Sequence, residues 1–141
     1  MRKALLIGIF TLVICLQNQA QNLVGSWKAI IDKDEIEFKF DSTGFATMKS
    51  DGETIGGEMF TMDGKKYFMK YTSNPSVTPN RLDLILFDYK TKKEIRRMLA
   101  IYSFTTDNKL QICMDTDGNN KRPKDFKNKE DCFKLNKVIK R

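Results

Sequence analysis

Glu35-Ile36-Glu37-Phe38-Lys39-Phe40-Asp41-Ser42-Thr43-Gly44 carries the clearest structural pattern of the chain. Ile36, Phe38 and Phe40 alternate with Glu35, Glu37 and Lys39, so one face is apolar and the other charged. A period of two is that of a half-buried β-strand, because successive side chains leave a strand on opposite faces. Asp41-Ser42-Thr43-Gly44 then ends the strand with turn chemistry.

Working outward, the pattern repeats in both directions. Trp27, Ala29 and Ile31 alternate with polar neighbours upstream. Downstream, residues 45–50 form a strand that Asp51-Gly52 turns. Residues 53–62 follow, with Gly56-Gly57 in mid-run, where paired glycines mark a bulge or a barrel corner. Asp63-Gly64 turns again into residues 65–72. Residues 73–80 form the one long loop with prolines. Residues 81–89 carry Leu82, Leu84 and Leu86 on one face, and residues 95–106 and 109–115 meet at Asp107-Asn108. Residues 116–130 are a polar excursion, and 131–140 are the last strand. No helical period, repeat or linker interrupts the series. Strands joined by tight turns are antiparallel neighbours, and closing such a meander removes its exposed edges. The reading is an all-β, small antiparallel up-and-down β-barrel of about eight to nine strands. A β-sandwich is the second choice.

The first twenty residues read differently. Arg2 and Lys3 precede an apolar run over residues 4–16, and Gln17-Asn18-Gln19-Ala20 supplies a polar end with a small residue. This is the pattern of a secretory signal peptide, and the run is short of the roughly 20 residues of a membrane span. The expected organisation is a signal peptide over 1–20 and one barrel domain over 21–141, exported to the periplasm or the medium. Cys15 follows Ile14 rather than a small residue, so lipoprotein anchoring there is not expected.

Charge is unevenly spread. The chain has a formal net charge of +7. Residues 21–120 hold 14 basic and 15 acidic residues, while 121–141, from Lys121 to Arg141, hold 9 basic and 3 acidic. The basic end suits an acidic protein or an anionic membrane surface. Export and the lack of basic motifs interleaved with aromatics argue against nucleic acid. There is no histidine, Gly-x-Ser-x-Gly elbow or P-loop, so no enzyme activity, metal or cofactor is expected. Asp115-Thr116-Asp117-Gly118-Asn119-Asn120 has glycine at the fourth position rather than the sixth, unlike an EF-hand.

Cys113 and Cys132 are the two cysteines beyond residue 20. Pairing Leu110 with Leu135 and Ile112 with Phe133 sets Cys113 opposite Cys132, which predicts a disulfide. Phe38, Met48, Phe60, Met69, Tyr71 and Tyr102 are candidate linings of an adaptable apolar cavity. Glu58, in phase with Phe60 and Met62, is a candidate inward carboxylate. Two functions stay open: a small hydrophobic or amphipathic ligand inside the barrel, or a filled barrel that acts as a cell-envelope interaction module through its basic end.

Gly25-Ser26-Trp27 resembles the motif that opens lipocalins. The pieces Pro79-Asn80-Arg81-Leu82-Asp83-Leu84, Ala100-Ile101-Tyr102-Ser103-Phe104, Lys109-Leu110-Gln111-Ile112-Cys113 and Lys121-Arg122-Pro123-Lys124-Asp125-Phe126 resemble, in order and spacing, a small bacterial family of lipocalin-like domains without an agreed activity. Ala100 departs from it, since that family tends to have glycine there. The resemblance implies a calycin-type barrel open at one end. It also implies a basic residue over Trp27 at the closed floor, a role for Arg122 or Arg141, with Gly25 beside it. It implies little about chemistry.

Overall fold

The computed structural model describes residues 22–115 and 118–140. Residues 1–21, with Cys15, and Thr116, Asp117 and Arg141 lie outside the described residues. Nine strands follow one another: β1 (Gly25–Ile31), β2 (Asp34–Phe40), β3 (Ala46–Ser50), β4 (Glu53–Met62), β5 (Lys65–Asn74), β6 (Asn80–Asp88), β7 (Glu94–Thr106), β8 (Lys109–Met114) and β9 (Cys132–Lys137). Each pairs antiparallel with the next and β9 returns to β1, so the sheet is a closed up-and-down barrel. Among the described residues there is no helix.

Local chemistry explains the tight connections. Asp51 and Gly52 both take positive φ (52° and 76°), as do Asp63 and Gly64 (51° and 76°). Two successive left-handed residues give the two-residue hairpin whose twist matches that of the strands. After β2, the Asp41 carboxylate accepts hydrogen bonds from the Thr43 and Phe45 amides at 3.0 and 2.8 Å. Partial burial raises the Asp41 pKa, but these bonds and that from the Thr43 hydroxyl outweigh it and hold the carboxyl below its usual range. The Tyr71 hydroxyl donates to the Asp41 carbonyl at 2.8 Å, tying the turn to β5.

The registers stack the apolar faces. Trp27 faces Phe38, which faces Met48. Leu82, Ala100 and Met114 align across β6, β7 and β8. Leu110 and Ile112 face Leu135 and Phe133. The result is a single core in which Trp27, Phe38, Phe40, Met69, Leu82, Leu84, Leu110, Ile112 and Leu135 are fully buried. Each such burial contributes ~1.5–3 kcal/mol.

Two details differ from the pattern of the sequence. The long loop is shorter than 73–80, because Ser73 and Asn74 pair with Leu82 and Arg81 and extend β5. On β4 the register shifts between Gly57 and Phe60, so three steps there match two on β5. Gly56 and Gly57 take φ of 104° and 83° at this corner. A side chain on Gly56 would collide with the Ala46 carbonyl oxygen and the Met69 methyl group.

Candidate functional site

The barrel interior is filled by its own side chains. Phe40 meets Tyr71 with ring centroids 4.9 Å apart, Phe38 meets Phe133 at 5.6 Å, and Trp27 meets Phe104 at 5.8 Å. Of the candidate lining residues, Phe38, Met69 and Tyr102 are buried in this core, while Met48, Phe60 and Tyr71 are half-buried against it. Burial pushes the Tyr102 phenol up, with a Ser73 hydrogen bond opposing. Burial also raises Tyr71, helped by the Asp41 charge. Glu58 does not join them. It is exposed, because the extra residue in the β4 bulge breaks the alternation that would have aimed it inward with Phe60.

At one end, the Trp27 indole donates to the Leu23 carbonyl at 2.8 Å, and Leu23 is itself buried. The chain entering β1 thus plugs the barrel. Among the described residues, the cation over the Trp27 ring is Lys137, with Nζ 5.6 Å from the centroid. This corrects the expected Trp27–Arg122 pairing. Lys137 faces Trp27 in the β1–β9 register and continues the inward phase of Phe133 and Leu135. That phase was the available signal in the sequence. Gly25, at φ 135°, holds the same corner, and a Cβ there would press on the Lys137 stem at 3.4 Å.

Arg122 works on the outside of the barrel. Its Nη1 donates to the Ala100 carbonyl at 2.7 Å, and its Nη2 pairs with Asp83 at 2.7 Å. Arg97 reaches the other Asp83 oxygen at 3.1 Å and Glu94 at 2.7 Å. Asp83 alternates with the inward Leu82 and Leu84, so the clamp straps the excursion after β8 to the outer face of the β6–β7 wall. Pro123 lies there beside Ile101, which is buried although it is not part of the interior core.

The cysteines meet as the register requires. Cys113 faces Cys132 and the two form a disulfide. It fastens the returning end of the excursion to β8. Between that end and β1 lies a groove of about 670 Å³, lined by Ile30, Ile31, Phe126, Lys127, Lys129, Lys134 and others. It was not legible in the sequence, because it exists only where barrel closure is incomplete. Among the described residues, no group of three or more acidic and cysteine side chains could hold a metal ion.

These features define a closed nine-stranded antiparallel barrel, plugged at the Trp27 end and compatible with a lipocalin-like architecture. The chain matches no protein-family model, no curated protein and no solved structure.

Proposed function

We propose that the chain is an exported lipocalin-like protein that acts through its outer surface, as a cell-envelope module that binds an acidic protein. The observation that carries this reading is the interior. Every strand but β4 contributes buried side chains to one interior cluster, β4 adds the half-buried Phe60, and a small barrel packed in this way leaves little room for a ligand. Of the basic stretch 121–140, Lys121, Lys124, Lys127, Lys129, Lys134 and Lys140 are exposed and supply the contact charge. Export rests on the leader of residues 1–20. The lipocalin-like assignment is supported by the meander topology and by Gly25 and Trp27 at the plugged end beneath a lysine.

A second reading keeps the small apolar ligand, at the mouth opposite Trp27. Ile36, Met48, Phe60, Met98 and Phe133 are only half-buried against the core there, and the two methionines are adaptable. Native mass spectrometry of protein from its source cells, with displacement of a fluorescent fatty acid, separates the two. The interaction module carries no stoichiometric ligand and leaves the probe in solution. A displaceable ligand at one per barrel overturns it. Binding to anionic vesicles, but to no protein after crosslinking, overturns the choice of an acidic protein as partner.

A further inference from the structure

The barrel is closed by very little. Only Trp27–Lys137 and Lys28–Asn136 are paired between β1 and β9, extended by one hydrogen bond from the Val138 amide to the Ser26 carbonyl at 2.8 Å. That bond fixes which backbone groups look across the seam. On β1 they are those of Ser26, Lys28 and Ile30, since alternate residues of a strand direct N–H and C=O to the same side. On β9 the Lys137 amide bonds to Asn108 and the Asp131 carbonyl to Met114, both toward β8. The even-numbered Cys132, Lys134 and Asn136 therefore face β1. Continued by one step, the register would set Ile30 against Lys134, yet no pairing occurs there. Ile30, Cys132 and Lys134 thus lie beyond the last paired step of the seam, with their edge groups turned toward it, and line the 670 Å³ groove.

The groove walls carry a second indication. Ile30 is 76% exposed and Ile31 38%, and Phe126 lies beside them. Lys127, Lys129 and Lys134 also line it, and no ion pair among the described residues neutralises them. The net charge of the 121–141 segment is positive. An open edge, a cationic outer rim and the apolar Ala29 and Ile31 in the other phase match an extended chain with acidic side chains on one face and apolar side chains on the other.

We propose that the β1–β9 seam binds an extended acidic segment of a partner protein by strand addition to the β9 edge. The partner's main chain pairs with Cys132 and Lys134. Its carboxylates meet Lys127, Lys129 and Lys134 on the outer face, and its apolar side chains, on the other face, lie over Ala29 and Ile31. The proposal rests on the interaction-module reading and gives that module its contact site.

The test uses residues 21–141 with the disulfide intact. The probes are acetyl-(Val-Glu)4-amide, acetyl-(Val-Lys)4-amide, a Val-Glu analogue N-methylated at alternate amides, and dodecanoate. Amide exchange is followed by NMR. In the free protein, the Ile30, Cys132 and Lys134 amides should exchange ~100-fold or more faster than those of Lys28 and Asn136. The Val-Glu peptide should slow them, and the N-methylated analogue should bind at least about tenfold more weakly. The combined substitution Lys127→Glu, Lys129→Glu, Lys134→Glu should transfer the preference to the Val-Lys peptide. If it unfolds by circular dichroism, Lys127→Glu with Lys129→Glu, both outside any strand, repeats the test.

Seam amides already protected in the free protein, equal binding of the N-methylated peptide, or displacement of the peptide by dodecanoate with the same protection would each overturn strand addition. Crosslinking of a cellular partner equally by the wild type and the charge-reversed variant would overturn the seam alone. A ligand inside the barrel with no protein contact would overturn the module reading.

Discussion

The β5–β6–β7 wall and the β1–β9 seam are parts of the same sheet, yet they are held very differently. In the wall, Tyr67 through Asn74 pair residue by residue with Asp88 through Arg81, and Asn80 through Leu86 do the same with β7. The inner face buries Leu82, Leu84 and Ala100 completely, and Arg122 clamps the outer face through Asp83. The seam has two paired positions and exposed isoleucines, and its Lys127, Lys129 and Lys134 are in no ion pair among the described residues. The difference teaches where the fold keeps its stability and where it can accept another chain. Unpaired edges and exposed apolar side chains are the low-stability end of a structure, and partners are captured there.

The sharpest way to break the contrast is to weaken the wall. Leu84→Ala removes a fully buried side chain in the densest region and should cost about 2–5 kcal/mol in urea unfolding. Next comes the link between the two regions. Replacing Cys113 and Cys132 with serine opens a 19-residue separation, with an expected loss of roughly 3 kcal/mol. Hydrogen exchange should then rise first along β9, because the seam offers it little else.

Arg122→Ala frees the excursion from the wall and should cost about 1–2 kcal/mol, measured by thermal unfolding, from the lost charge-assisted bonds. If the Trp27 fluorescence spectrum is unchanged in this variant, the separation between Arg122 and the barrel floor stands. A spectral shift matching that of Lys137→Met would break it.

The pH dependence follows from Asp41. Its folded pKa lies below the unfolded value, so its contribution is complete above about pH 4. It is lost as the pH falls through the lowered native value. Asp41→Asn should flatten that part of the urea-midpoint profile between neutral and acid pH. The smallest effect belongs to the seam. Ile30→Thr, at a largely exposed site, should change stability by less than about 0.5 kcal/mol. Ile31→Thr should weaken the Val-Glu peptide, since it removes part of the apolar surface beneath the added strand.

Much of the barrel was legible in the residues. Ile36, Phe38 and Phe40 alternate because their strand is buried on one side. Asp51-Gly52 and Asp63-Gly64 mark hairpins because few other residues accept two positive φ values in succession. The Cys113–Cys132 bond could be read because β8 and β9 align on Leu110–Leu135 and Ile112–Phe133. Glu58 was misread because alternation assumes an uninterrupted strand, and the Gly57–Phe60 shift breaks it. The paired glycines announced a bulge but not which side chains it would turn outward. Arg122 was misplaced because a coil segment carries no period that fixes its path, whereas Lys137 sits in phase on a strand.

Local alternation, turn geometry and neighbour register were enough to read about eight to nine strands, their antiparallel order and the disulfide. Only the assembled barrel fixes that its inward side chains pack into one core and that the β1–β9 pairing stops at Lys28–Asn136. Those outcomes depend on how strands far apart in the chain meet around a closed circumference. Volume and closure are properties of the whole barrel, and no local pattern encodes them.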